Sequence, residues 1–350
     1  MSAHLEVIAP GLMTSVQDLG RTGHQALGMP VAGAMDPVAL RLANALVGNP
    51  EATAALEIGY LGPTLNVAAE SLRLAFAGKA KLLLLQPAAG GEARVLKPFR
   101  SALLRRGDRL QIGAVEEGSV AYLAVSGGIA IQSFLGSLST YMRAGLGGFE
   151  GRALKAGDCL PLAFGAAPAG EEQELADVFD YGSGPVRVVL GPQEDRFTGA
   201  GIETFLSATY TVTKEADRMG LRLDGPTVEH TRGADIASEG LVTGSIQIPG
   251  NGKPIILMAD RQTTGGYTKI ATVISADLPR VGRLKPGDTL AFVAVSVAEA
   301  EALRRNQEKA IRKLIEAIRP ALPDVTLDLG ALYSENLISG MVDARTGAGR

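Results

Sequence analysis

Short apolar runs of strand length, separated by turn residues, dominate the hydrophobic pattern of the chain. Such runs, rich in β-branched or continuous apolar residues, predict strands. They fall at residues 72–77, 81–85, 121–125, 186–190, 210–213, 245–248, 255–258 and 289–295. The pattern therefore favours a mainly β chain with few helices.

Two segments carry helix signals instead. In residues 36–46, Asp36 is suited to cap a helix whose first position is Pro37. A longer helix begins at Ser296, where Glu299 completes a capping box. The apolar stripe of this helix predicts packing on the surface of a barrel or sheet. The face that carries it presents Leu303, Gln307, Ile311, Leu314 and Ile318.

Glycines are frequent between the predicted strands. The chain has 44 glycines among 350 residues, well above a norm of about 7%. A Gly-Asp pair between apolar residues recurs in 104–110, 154–160 and 284–290. We interpret it as a repeated turn before a strand, with no chemical role.

Length and composition predict two β-rich halves. A length of 350 residues and 46% hydrophobic content suit about two domains that fold without disulfides or metal. The acidic segment 166–184 contains Pro and Gly and is the best boundary. We predict lobes at 1–170 and 185–295, with a helix and tail at 296–350 in which 332–338 docks on the body or on a partner. The single cysteine, Cys159, is predicted to be a small buried strand residue.

The charge balance excludes several classes of partner. Lys and Arg number 34 against 37 Asp and Glu, a net charge of −3, which offers no general field for nucleic acid or an anionic membrane. The N-terminus lacks a signal-peptide pattern, and no apolar run reaches the roughly 18 residues of a membrane span. We expect a cytoplasmic protein.

The densest polar chemistry lies in two glycine-rich stretches, at residues 11–36 and 258–277. Acids, bases, amides and hydroxyls alternate there with glycines that let the backbone approach a ligand. This composition suits a small polar, anionic or amide-like ligand. The alternative is an Asp–Arg ion pair that ties down a buried loop.

A third polar segment, residues 217–226, contains Arg218, a fork-like donor for a carboxylate or phosphate. The alternative for it is an ion pair in a solvated turn. Glu239 follows shortly after, and His24 is the one plausible general base among three histidines. No His, Cys and Asp set has zinc spacing, so no metal site is predicted.

Nucleotide and biotin motifs are absent from the sequence. Residues 250–254 resemble a phosphate loop, but Gln247 stands where the first Gly belongs and Pro254 where Ser or Thr belongs. We predict a hairpin turn there. No Met-Lys-Met sequence that would carry biotin occurs.

Several motifs together resemble a known family. They are residues 17–24 (Gln-Asp-Leu-Gly-Arg-Thr-Gly-His), 33–36, 44–49, 55–57, 217–220, 260–267 (Asp-Arg-Gln-Thr-Thr-Gly-Gly-Tyr) and 275–279. These motifs strongly resemble the second-subunit family of allophanate hydrolase-like proteins. The resemblance covers about residues 5 to 295, and the motifs follow one another in the same order as in the family. That family includes the C subunit of bacterial 5-oxoprolinase, the antagonist of a sporulation-kinase inhibitor, and half of the carboxyltransferase domain of urea carboxylase.

The resemblance implies a mainly β (α+β) fold of two cyclophilin-like β-barrel lobes with a few helices and a C-terminal surface helix. It also implies a partner resembling allophanate hydrolase subunit 1. The chain shows no fused first-subunit, biotin-carrier or amidase module, which favours a subunit of an ATP-dependent 5-oxoprolinase with first- and third-subunit partners, using ATP with Mg²⁺. One alternative is a biotin-dependent carboxyltransferase acting on urea or a related amide, with biotin on a separate carrier. Another is a non-enzymatic antagonist of a histidine-kinase inhibitor. Fold kinship alone does not choose among them.

The matched motifs also suggest site residues. Candidates for catalysis are Asp260, Glu239 and His24, for proton transfer or contact with a metal–nucleotide, and Lys269. Candidates for binding the substrate are Arg218, Arg261, Gln17, Asp18, Gln262, Thr263, Thr264 and Tyr267. Within these sets, Arg218 and Arg261 would anchor a carboxylate or phosphate, and Lys269 would stabilise negative charge that develops on oxygen.

Overall fold

The computed structural model describes residues 3–86 and 93–322. The predicted docking segment 332–338, with the rest of the tail after residue 322, lies outside the described residues. We refer to described residues up to 170 as the N-terminal half and to those from 185 onward as the C-terminal half. The division into lobes at 1–170 and 185–295 remains a prediction.

Two antiparallel sheets form the N-terminal half. Their strands are β1 (His4–Ala9), β2 (Met13–Gln17), β3 (Ala55–Gly59), β4 (Thr64–Val67), β5 (Ser71–Ala77), β6 (Ala80–Leu85), β7 (Ala93–Leu96), β8 (Ser101–Arg105), β9 (Arg109–Val115), β10 (Val120–Val125) and β11 (Cys159–Pro161). One sheet has the order β11-β1-β4-β9-β6-β7 and the other β2-β3-β10-β5-β8. The inner faces of these sheets bury a common apolar core that includes Leu56, Phe76 and Leu110.

A larger sheet forms the C-terminal half. The remaining strands are β12 (Gln173–Glu174), β13 (Val186–Leu190), β14 (Tyr210–Val212), β15 (Gly220–Asp224), β16 (Asp235–Gly240), β17 (Ser245–Gln247), β18 (Ile255–Leu257), β19 (Thr264–Tyr267), β20 (Lys269–Val273), β21 (Thr289–Leu290), β22 (Phe292–Ala294) and β23 (Arg319–Pro320). The sheet order is β21-β14-β15-β18-β17-β20-β13-β22, and β16 pairs separately with β19. The strand-rich architecture confirms the predicted mainly β fold.

The predicted strand at 289–295 is broken in two. Residues of β21 pair with β14, whereas those of β22 pair with β13, at the opposite edge of the sheet. The chain therefore crosses between the two edges at Ala291. This crossing gives the C-terminal sheet its nearly closed, barrel-like form.

The described helices are α1 (Pro37–Leu46), α2 (Gly199–Ser207), α3 (Leu278–Val281) and α4 (Val297–Glu316). Asp36 caps α1 by accepting hydrogen bonds from the Val38 and Ala39 N–H groups at 3.0 and 3.1 Å. Ser296 and Glu299 form the predicted capping box of α4. Both helix starts are confirmed.

Helices α1 and α4 pack together at the join of the two halves. Ile311 of α4 is fully buried, and Arg41 of α1 donates two hydrogen bonds to the Glu308 carboxylate at 2.8 and 2.7 Å. Buried residues of α1 share one core with strands of both halves. Helix α4 thus lies on the surface, as predicted, with its Ile311 face packed against the body.

The three Gly-Asp turns adopt one local structure. Asp108, Asp158 and Asp288 each accept a hydrogen bond from the backbone N–H three residues earlier, at 2.8, 2.7 and 3.0 Å. The preceding glycines have φ of 86°, 87° and 95°, the region where a side chain is strained. The purely structural interpretation of this motif agrees with the geometry.

Two smaller expectations have opposite outcomes. Cys159 lies in a strand as predicted but is exposed rather than buried, because side chains alternate between the faces of β11 and it is Leu160 that faces the core. Residues 250–254 form the connection between the antiparallel strands β17 and β18, which confirms the predicted hairpin turn.

Within residues 3–86 and 93–322, no helix is long and apolar enough to cross a membrane.

Candidate functional site

The two glycine-rich stretches lie against each other along the join between the halves. The Ala32 N–H donates to the Ala259 carbonyl at 3.1 Å, and the Gln25 side-chain amide reaches the Leu241 carbonyl at 3.5 Å. These contacts bring the N-terminal loop beside the loop that follows β18. We call the polar region along this contact the seam.

Arg218 lies at the centre of the seam. Its Nε and Nη2 donate to the two carboxylate oxygens of Asp260 at 2.9 and 3.0 Å. Its Nη1 donates to Glu57 of β3, and Nη2 also donates to the Gly33 carbonyl at 2.6 Å. One guanidinium therefore joins carboxylates from both halves of the chain.

Burial sets the electrostatics of this cluster. It raises the pKa of Asp260, and the nearby Arg218 guanidinium opposes that rise. Burial lowers the pKa of Arg218, but the charges of Glu57 and Asp260 outweigh this and hold its pKa above the ordinary value. Arg218 is therefore a permanent cation. Its hydrogen bonds show it acting as the ion-pair partner of two acids.

Glu57 also belongs to this cluster, although it is not among the site residues predicted from the sequence. Its Oε2 accepts hydrogen bonds from the Met35 N–H at 2.9 Å and from the Tyr122 hydroxyl. The sequence does carry a signal, since Glu57 is the one charged residue in the otherwise apolar stretch 54–59. An acid inside a buried strand requires a partner, but the identity of that partner emerges only from the fold.

Lys269 and Glu239 form a second cluster. The Lys269 ammonium is buried and donates to Glu239 of strand β16. Gln193 also donates to the same carboxylate oxygen at 2.6 Å and accepts from the Lys269 backbone N–H at 3.0 Å. These two neighbours lower the pKa of Glu239, so Glu239 is an anion at neutral pH rather than a proton donor.

Arg261 is a buried cation of a different kind. It donates to the Thr243 hydroxyl at 2.7 Å and to the Leu241 carbonyl at 3.2 Å. Its Nε is buried and has no hydrogen-bond partner among the described residues. Within the same residues, no carboxylate forms an ion pair with Arg261. Burial lowers its pKa, although an arginine stays charged. This guanidinium is therefore suited to receive an anionic group of a ligand.

Strands β16 and β19 pair as a two-stranded antiparallel ribbon beside these two cations, because Glu239 of β16 binds Lys269 and the adjacent Leu241 carbonyl binds Arg261. Glu239 lies opposite Gly265, and Gly240 opposite Thr264. A Cβ at Gly265 would come within 2.8 Å of both the Gln247 side-chain nitrogen and Leu241. That nitrogen is buried and has no partner among the described residues. Thr264 and Tyr267 of the ribbon are exposed, as is Gln262 before it, and Thr263 is half-buried.

The N-terminal candidates occupy other surroundings. Gln17 is buried and donates to the Ser15 hydroxyl at 3.0 Å and to the Thr140 carbonyl at 3.2 Å. The Asp18 carboxylate accepts from the Leu138 N–H at 2.6 Å and the Ser137 hydroxyl at 2.7 Å, and it also holds Ser139. Both residues therefore organise a loop in the structure. Their ligand-binding roles remain predictions.

His24 starts the short 3₁₀ turn at Gln25–Leu27, where its carbonyl accepts from the Leu27 N–H at 3.0 Å. Its ring is half-buried near the outer end of the N-terminal loop. Within the part of the chain that the structure describes, no group of three or more His, Cys, Asp or Glu side chains is arranged to hold a metal ion. A proton-transfer role for His24 remains a prediction.

The sequence of this chain matches a known protein family and several known proteins. The model for the carboxyltransferase domain, subdomain A and B, matches residues 27–294. The C subunit of 5-oxoprolinase from Escherichia coli K12 is 36% identical over 315 residues, which cover 89% of this chain and 97% of that protein. The urea amidolyase of Saccharomyces cerevisiae is 33% identical over 335 residues, covering 89% of this chain but 18% of the yeast protein.

A solved structure gives the same result for the fold. The crystal structure of Kluyveromyces lactis urea carboxylase superposes with a TM-score of 0.80 at 32% identity, covering 91% of this chain and 30% of that one. The family match contains Ala32, Arg218 and Asp260 of the seam, together with Lys269, Glu239, Arg261 and the β16–β19 ribbon. The chain therefore belongs to the carboxyltransferase subdomain A and B family, which includes the C subunit of 5-oxoprolinase.

Proposed function

We propose that this chain is a subunit of an ATP-dependent 5-oxoprolinase, which opens the lactam of 5-oxoproline to glutamate together with a partner resembling allophanate hydrolase subunit 1. The main support for this proposal is the share of each relative that the sequence similarity covers. The similarity to the C subunit of 5-oxoprolinase spans 97% of the Escherichia coli protein, whereas the similarity to urea amidolyase spans 18% of the yeast protein.

The chemistry of the site supports a small anionic lactam. The substrate 5-oxoproline has a carboxylate and an amide carbonyl. Arg261 offers a buried guanidinium whose Nε lacks a partner among the described residues, a group suited to a carboxylate. Lys269 offers an ammonium that stabilises the negative charge that develops on the carbonyl oxygen during ring opening. Glu239, the present partner of Lys269, is its exposed counterion.

ATP with Mg²⁺ is part of this proposal because a lactam is stabilised by resonance, and phosphorylation of its carbonyl oxygen makes attack by water feasible. Among the described residues, 250–254 form a hairpin turn rather than a phosphate loop. We assign Arg261 and Lys269 to the organic substrate, and the partner chains, including a third one, complete the proposed enzyme.

A second candidate is a biotin-dependent carboxyltransferase that acts on urea or a related amide. The match to the carboxyltransferase model and the superposition on Kluyveromyces lactis urea carboxylase favour it. In that case biotin is carried by a separate protein, and the same cations face carboxybiotin and the acceptor amide. A cation that stabilises oxyanions serves either reaction.

The deciding experiment measures ATP-dependent glutamate formation from 5-oxoproline by the chain copurified with its natural partners. A parallel reaction contains urea, ATP and a biotin carrier. Glutamate formation that requires this chain supports the oxoprolinase. Carboxylation in the parallel reaction without glutamate moves the assignment to the carboxyltransferase, and inactivity in both contradicts both enzymes and favours a regulator of a histidine-kinase inhibitor.

A further inference from the structure

A cavity of about 260 Å³ is lined by residues of both halves, among them Arg218. Its volume is near the lower end of ligand pockets, which span roughly 300–1,000 Å³. None of the proposed substrate contacts except Arg218 lines it. The cavity is therefore a separate feature that requires its own explanation.

The strand register builds one wall of the cavity. In the sheet β2-β3-β10, Ser15 and Tyr122 lie directly opposite Glu57 on either side. Two residues further along, Met13 and Val120 lie opposite Gly59 in the same way. Because side chains of a strand alternate between faces, both rows point toward the C-terminal half. Gly59 contributes no side chain to its row and leaves space there.

Apolar residues of the C-terminal half also line the cavity. Ala216 and Leu221 come from the β14–β15 region and Leu284 from the segment after α3, and Met35 and Met142 line the cavity as well. With Met13, three methionines line the cavity. Methionine side chains are flexible and adapt to ligands of different shape. The body of a ligand held here is therefore aliphatic.

The polar end of the cavity has a surplus of negative charge. The charged residues that line it are Glu57, Asp217 and Arg218. The hydrogen bonds of Arg218 already go to Glu57, Asp260 and a carbonyl. The charges of Glu57 and Asp217 act on Asp260, and the charges of Asp260 and Asp18 act on the buried Arg21. Four carboxylates therefore stand against two guanidinium groups, and a further cation would be favoured at this end.

Glu57 has capacity for a further donor. Its Oε2 is used by the Met35 N–H and the Tyr122 hydroxyl. Among the described residues, its Oε1 accepts from Arg218 alone, which leaves one lone pair of this oxygen free. The directly opposed Ser15 hydroxyl accepts from Gln17 and has a second lone pair that can accept from a donor in the cavity.

We propose that this cavity binds a small organic cation with an aliphatic body and a primary ammonium head. The head donates to Glu57 Oε1 and compensates the surplus negative charge, and the aliphatic body lies among the three methionines. This site does not depend on the proposed function, because a ligand can occupy it whether the seam acts on a lactam or on urea.

The experiment follows methionine methyl groups by NMR in the full chain labelled with ¹³C-methyl methionine. The probe is n-hexylamine, with hexan-1-ol and hexanoate as matched compounds of the same chain length. We expect n-hexylamine to shift the signals of Met13, Met35 and Met142 saturably and to leave those of Met29 and Met258 unchanged. Hexan-1-ol should bind at least tenfold more weakly, and hexanoate should cause no shift.

A cavity-filling variant keeps the test independent of the ion cluster. Ala216→Leu places a larger side chain in the cavity wall and should abolish the n-hexylamine shifts, whereas Ala26→Leu, at an exposed position, should retain them. Circular dichroism verifies that both variants fold. Equal binding of all three compounds would overturn the charge recognition, and the absence of shifts at the three methionines would overturn the site.

Discussion

Arg218 and Asp260 form a two-pronged ion pair in which neighbouring nitrogens of the guanidinium meet both oxygens of the carboxylate, at 2.9 and 3.0 Å. Both side chains are buried. The same guanidinium reaches Glu57 in the other half of the chain. The pair is thus one part of the contact that holds the two halves together.

Replacement of Arg218 by Met tests that contact. The substitution leaves Glu57 and Asp260 buried without their cation, so we expect the free energy of unfolding to fall by about 3–5 kcal/mol. Urea denaturation measures the change. Arg222→Met is the matched control, because Arg222 pairs with Glu215 on the surface at 3.4 Å, and an exposed pair contributes under about 1 kcal/mol. Equal losses in the two variants would contradict a special role for Arg218.

Replacement of Lys269 by Met tests the proposed oxyanion contact. It removes the buried ammonium while keeping most of the apolar stem. We expect the rate of glutamate formation by the complex to fall at least about 100-fold, as when an oxyanion donor is lost. Lys253→Met is the control, because Lys253 lies in the β17–β18 turn, where it pairs with the exposed Asp224 at 3.0 Å. Full activity of Lys269→Met in a folded complex would exclude this role.

Substitution of Gly265 by Ala tests the close packing under the β16–β19 ribbon. The added Cβ would lie 2.8 Å from the Gln247 nitrogen and from Leu241. Because both of these side chains are buried, we expect the ribbon to shift outward and kcat/KM to fall several-fold. Hydrogen exchange of the ribbon amides reports the shift directly. Gly250→Ala has no neighbour within 4 Å and should leave both measurements unchanged.

Acid should weaken the contact between α1 and α4. The Arg41 guanidinium lowers the pKa of Glu308 to about 2 from an ordinary value of 4.5. Because the folded-state pKa is depressed, the stabilisation is present above pH 4.5 and is lost as the pH falls toward 2.

Unfolding of the native chain and of Glu308→Gln, compared from pH 7 to pH 2, checks this expectation. The difference in unfolding free energy between the two should be at most about 3 kcal/mol at neutral pH and should shrink through the acidic range. Since other carboxylates titrate in both proteins, the difference isolates Glu308. A difference that does not change with pH would show that the ion pair contributes nothing.

Local features of this chain followed from the sequence because their causes lie within a few residues. The caps at Asp36 and Ser296 bind N–H groups two or three residues away. The repeated Gly-Asp turns are stabilised in the same local way. The short apolar runs also became strands, with the exception of 289–295, whose break depends on closure of the whole sheet.

The motifs located part of the candidate site. Arg218 and Asp260 stand out as polar residues among glycines, and the structure joins them. Lys269 and Glu239 were likewise both candidates, and the structure pairs them. Asp18 was a candidate on the same grounds, yet its carboxylate holds the loop of Ser137 and Leu138. Residue type and spacing cannot separate these outcomes, because each depends on which distant backbone lies nearby.

The sequence by itself therefore determined the turns, the helix starts, the strand-rich architecture and the family motifs. Tertiary structure alone decided that Glu57 shares Arg218 with Asp260, although Glu57 and Arg218 are 161 positions apart. It also decided that Arg261 is buried without an acidic partner among the described residues and that a cavity with surplus negative charge lies between the halves. Such properties depend on burial and on contacts between distant segments, which arise only when the sheets pack together.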